Sequence, residues 1–117
     1  MENLMVLAEE RRPEVLAELA RHPEWRVRMA VAANPCTPAA VLAGLLEDRH
    51  PEVQAKACLN PALPPAALVE RLGQLNRWLR LALARRRETP PVVLEALAAD
   101  AVEMVREAAQ ATLGRML

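Results

Sequence analysis

The chain has 117 residues, enough for one domain, and carries 23 Ala and 19 Leu but no Phe and no Tyr. Its 15 basic and 15 acidic residues cancel, which excludes a generic nucleic-acid or membrane-surface binder on net charge. The absence of Ile, with few Thr and few Gly, excludes a β-sandwich or barrel, and a hydrophobic content of 53% excludes disorder.

The first predicted element is short. Residues 1–8, with Leu4, Met5 and Leu7 apolar, sit at the phase of a second helix and are read as a half-repeat that caps the N-terminal end. Met1 to Glu10 has acids and no basic region before its apolar stretch, so no targeting segment is expected. No run nears the roughly 20 apolar residues of a membrane span. The expected location is cytoplasmic, with Cys36 and Cys58 as two reduced thiols in neither a CxxC pattern nor a disulfide framework.

From residue 9 onward a 26-residue period organises the chain. Leu16, Leu42, Leu68 and Leu94 share one register, and Val27, Val53, Leu79 and Val105 share another. Prolines recur before each first helix, at Pro13, Pro38, Pro64–Pro65 and Pro90–Pro91. Each unit is predicted to be two short helices. Helix A starts at proline, whose missing N–H has no partner in a first turn. Thr37 and Thr89 are its expected N-caps. It runs about 9–11 residues, as from Pro38 to Glu47, with Val41, Leu42, Leu45 and Leu46 on one face. A polar turn follows, His22-Pro23-Glu24 in the first unit and Arg49-His50-Pro51 in the second. Helix B is shorter, as from Glu52 to Leu59, and ends at Asn34–Pro35 or Asn60–Pro61, because the residue before proline is pushed out of the α region. Helices this short are marginal alone in water, so stability must come from stacking neighbouring pairs. The last helix B is expected to extend through Ala111–Leu117. The predicted fold is all-α: one domain, 1–117, built as an α-solenoid of about four two-helix repeats near 9–33, 34–59, 60–85 and 86–112.

The segments Asn34-Pro35-Cys36-Thr37-Pro38 and Asn60-Pro61-Ala62-Leu63-Pro64-Pro65, with Val27-Arg28 and Val31-Ala32-Ala33, resemble the leucine-rich repeat variant. Val105-Arg106-Glu107-Ala108-Ala109 with Leu113-Gly114 is similar to HEAT-type repeats, including those of phycobilisome-lyase-like proteins. The resemblance spans about residues 9–113. It implies a right-handed superhelix whose B helices line the concave side. Arg86–Arg87 and Thr112–Leu113 depart from it where Asn-Pro is expected. The founding type of the variant carries an iron–sulfur cluster in a separate cysteine-rich region. Nothing in this sequence matches that region, so no cofactor is expected.

Chemistry has few candidates. The chain has no Ser, no Gly-rich phosphate loop and no paired carboxylates that stand out. His22 and His50 occupy equivalent-looking turns, but a metal site needs more ligands than they supply. No catalytic or metal-binding residues are assigned, and no enzyme is expected. The Trp residues carry more information. In Trp25-Arg26-Val27-Arg28 and Arg77-Trp78-Leu79-Arg80, Trp and Arg flank a core residue at the start of helix B. Trp and Arg are enriched in binding hot spots. Trp25, Arg28, Met29, Arg77, Trp78, Arg80 and Leu81 are therefore candidate contacts for a protein partner, against the plainer reading that each Trp fills a gap among alanines. Residues 60–87 hold six Arg against one acid, for a local net charge of +5. Arg85, Arg86 and Arg87 close that segment and offer an alternative, a nucleic-acid phosphate or an acidic patch on a protein. A homodimer through the less polar C-terminal end, with Met104, Leu113, Met116 and Leu117, is a further expectation; no membrane partner is expected.

Overall fold

A computed structural model describes residues 4–116, with side chains from residue 6. The expected apolar roles of Leu4, Met5 and Leu117 therefore lie outside the described residues. The described residues are all-helical, with no strand. The chain divides into two compact units, Met1–Pro64 and Pro65–Leu117.

The first unit contains α1 (Leu4–Ala8), α2 (Pro13–Leu19), α3 (Trp25–Ala33), α4 (Ala39–Leu45) and α5 (Pro51–Leu59). The second contains α6 (Pro65–Arg71), a 3₁₀ turn (Leu72–Gln74), α7 (Arg77–Arg85), α8 (Pro91–Leu97) and α9 (Glu103–Arg115). The starts of α2, α4, α6 and α8 fall 26 residues apart, as do those of α3, α5, α7 and α9. In the first unit α3 packs on α1, α2 and α5; in the second, α9 packs on α7 and α8.

The recurrent apolar positions form the core. Leu16, Leu42 and Leu94 are wholly buried, and Leu68 nearly so. Val27, Val53 and Val105 are buried, whereas Leu79 is half-buried. Four residues beyond that register lie Val31, Ala57, Leu83 and Ala109, all buried. The alanines among them, Ala57 and Ala109, let helices approach closely, while Val31 and Leu83 fill the remaining space without an aromatic ring.

Two local expectations are corrected. The first helices span seven residues, not nine to eleven. Their last turns tighten instead: Arg21 and His22 donate three residues back to Glu18 and Leu19, as Glu47 and Asp48 do to Gly44 and Leu45. Thr37 and Thr89 do not cap α4 and α8, whose N-caps are Pro38 and Pro90. Their hydroxyls donate backwards, to the carbonyls of Val31 and Leu83, both at 2.7 Å. A helix C-terminus has free carbonyls to satisfy, and both threonines are buried beside one.

Candidate functional site

The second helices carry the candidate residues, so their N-termini come first. Glu24, His50 and Asn76 are the N-caps of α3, α5 and α7, and each side chain accepts a backbone N–H of the first turn. Nδ1 of His50 accepts from the Glu52 amide at 3.1 Å, and Nδ1 of His22 accepts from the Glu24 amide at 3.0 Å. Both imidazoles are therefore turn-forming groups. No cluster of three or more His, Cys, Asp or Glu able to hold a metal occurs among the described residues.

Trp25 is half-buried and lies flat on His50, with ring centroids 3.8 Å apart and planes 7° from parallel. The Arg26 guanidinium stands 4.6 Å from the Trp25 ring centroid. The ring thus joins the start of α3 to the cap of α5. Met29 is half-buried on the same helix.

Of the residues expected as partner contacts, Arg28 and Leu81 are buried and Arg80 is half-buried. Arg28 is 5% exposed and grips Asp48 with two parallel bonds, Nε to Oδ1 at 2.7 Å and Nη2 to Oδ2 at 3.2 Å. Its Nη1 donates to the carbonyls of His22 and Pro23 at 2.8 and 3.1 Å. Arg80 repeats this arrangement in the second unit: Nε donates to Asp100 at 2.8 Å and Nη1 to the Leu75 carbonyl. Leu81 is 6% exposed. Arg28 commits four of its five N–H donors to these bonds and Arg80 three, which turns both guanidinium groups away from a partner. The two pairs were missed in the sequence, although in each the acid follows its arginine by 20 residues.

Burial alone raises the Asp48 carboxyl, but bonds from Arg28 and the His50 amide, with the charges of Arg28 and Arg49, outweigh it and hold the group below the ordinary aspartate value. Asp100 is lowered in the same way: burial opposes, and Arg80, the Val102 amide and Arg106 prevail.

The exposed candidates gather in the second unit. Trp78 is 66% exposed, and Arg77, Arg85 and Arg87 are exposed around it in sequence. Arg86 is half-buried and stands 3.9 Å from Glu88. Trp78, Ala82 and Arg85 follow the spacing of one helix face, and all three are exposed. The two tryptophans are therefore not equivalent. Trp25 is the first residue of α3 and Trp78 the second of α7, and that single step turns one ring onto a neighbour and the other to solvent.

Compared with known proteins, the chain matches no family model, no curated protein and no solved structure.

Shallow hollows lie among the described residues of the first unit. A groove of about 380 Å³ runs over Ala20, Ala40, Val41 and Gly44, and a polar hollow of about 350 Å³ adjoins it at Arg21, His22 and Arg49. Neither gathers a nucleophile with a base. Cys36 is exposed and Cys58 buried; burial pushes the Cys58 thiol up to about 12.

Proposed function

We propose that the chain is a non-catalytic protein-interaction module, a right-handed α-solenoid of about four 26-residue repeats behind an N-terminal half-repeat. The resemblance to the leucine-rich repeat variant and to HEAT-type repeats supports that reading, as does the regular spacing of the helix starts. One observation carries the binding role. Trp78 leaves 66% of its surface in water in a chain with only two Trp, and it stands next in sequence to exposed Arg77. Exposed Trp with Arg is the chemistry of a binding hot spot. The mechanism is rigid display: short helices locked by buried polar bonds hold that face in place. No helix among the described residues is long and apolar enough to cross a membrane, and we assign the module to the cytoplasm.

The test is affinity capture from cell extract with the full chain and with a Trp78→Ala, Arg77→Ala double variant. Loss of captured proteins is expected, and an unchanged set overturns the assignment. Arg80→Ala is unsuitable, because it breaks the bond to Asp100 and weakens the fold itself. A second reading, phosphate binding, rests on exposed Arg85 and Arg87. It expects salt-sensitive retention on a phosphate-bearing matrix that Arg85→Glu with Arg87→Glu abolishes.

A further inference from the structure

The face around Trp78 continues onto α9. Helices α7 and α9 run side by side and parallel, pinned at both ends. Arg80 of α7 holds Asp100 just before α9. Near the other end, the Thr112 hydroxyl lies 2.6 Å from the Ala84 carbonyl. The two helices start 26 residues apart, so Met104 holds the register position of Trp78, Glu103 that of Arg77, and Ala108 that of Ala82. Met104 is 43% exposed, and Arg77 and Glu103 are exposed. Neither Arg77 nor Glu103 has an ion-pair partner among the described residues. The face is thus apolar at Trp78, Ala82 and Met104, positive at both ends of α7 through Arg77 and Arg85, and negative at the start of α9.

We infer that the outward face of α7 and α9 binds a second copy of this chain about a two-fold axis parallel to the two helices. That operation lays α7 of one copy over α9 of the other at equal height. Each Trp78 then meets the partner copy's methionine at position 104, a sulfur–aromatic contact, and each Arg77 meets the glutamate at position 103. Ala82 and Ala108 lie between and let the helices come close. A uniformly basic partner is repelled by Arg77 and Arg85 and a uniformly acidic one by Glu103, whereas a second copy sets Arg77 against the glutamate at position 103 twice over. The inference rests on reading this face as an interaction surface. It differs from an end-to-end dimer, because the side of the stack makes the contact.

The experiment is sedimentation of the full chain across about 1 µM to 1 mM, the range of weak association. The wild type is expected to dimerise. Arg77→Glu and Glu103→Arg, each alone, are expected to weaken dimerisation about tenfold or more, because each places like charges together. An equimolar mixture of the two variants restores a heterodimer in which both new charges are matched. Circular dichroism melts of both variants check that the exposed substitutions leave the fold intact. A wild type that stays monomeric at 1 mM, or a mixture that does not recover, overturns the inference. If the wild type stays monomeric while the Trp78 variant still loses its captured proteins, the occupant is a different protein: the interaction reading stands and self-association falls.

Discussion

Asn34 and Asn60 show how much one side chain does at a helix end. In sequence each reads as the stop before proline, and each is indeed the C-cap of its helix. The structure adds a second task. Nδ2 of Asn60 donates to the carbonyls of Ala32 and Asn34 at 2.8 and 2.9 Å, while its Oδ1 accepts the Ala62 amide. Asn34 does the same one period earlier, with the carbonyls of Leu7 and Glu10. The carboxamide thus satisfies free carbonyls of the preceding layer, and it does so buried. Asn60→Ala is expected to cost about 1–3 kcal/mol in denaturant unfolding of the full chain, because the Ala32 carbonyl loses this donor and the Asn34 carbonyl keeps only the Thr37 amide. Asn60→Asp should cost more, since it sets carboxylate oxygens against those carbonyls; equal stability of Asp and Asn would refute this role. The recurrence of Asn-Pro was legible as a boundary. The direction of its side chain was not, since the residues it reaches lie 24 to 28 positions away.

At the scale of elements, the Arg28–Asp48 pair fastens α3 to the turn before α5. Both side chains are nearly buried, at 6% and 8% exposure. Removing one partner from such a pair leaves a buried charge alone, so Asp48→Ala is expected to destabilise by about 3–5 kcal/mol. Replacing both partners by apolar residues of similar size should recover much of that loss. The pH dependence follows from the lowered Asp48 carboxyl. A group whose folded value is depressed adds stability that is present above its unfolded value and disappears as pH falls through the folded one. The loss should begin near the ordinary value of 3.8 and continue below it. Thermal melts of Asp48→Asn across that range should show a shallower acid limb than the wild type; an unchanged limb would remove the pair from the acid response. Gln54 and Gln74 stand one period after Arg28 and Asp48, so the pairing recurs in the second unit with Arg80 and Asp100 and skips the step between.

Across the whole molecule, the two cysteines report how closed the fold is. Cys36 is exposed in the turn before α4, and Cys58 is buried in α5 with its thiol pushed up to about 12. A thiol reagent at mildly alkaline pH should label Cys36 rapidly and Cys58 only as the surrounding helices open. Its labelling rate should rise with denaturant in step with unfolding. Fast labelling of both thiols in native protein would contradict the packing around Cys58. The all-helical class, the 26-residue period and the recurrent core leucines were legible in the linear sequence. Each depends on local propensity and on apolar spacing along the chain, and proline marks the first turns because its geometry is local. Which arginines are available was decided only in three dimensions. Arg28 and Arg80 are the same residue type as Arg77 and Arg85, yet the first two are turned onto aspartates 20 residues ahead. The same holds for the tryptophans, one stacked on His50 and one left to solvent. A side chain's exposure is set by what the next layer brings against it, and that layer is distant in sequence.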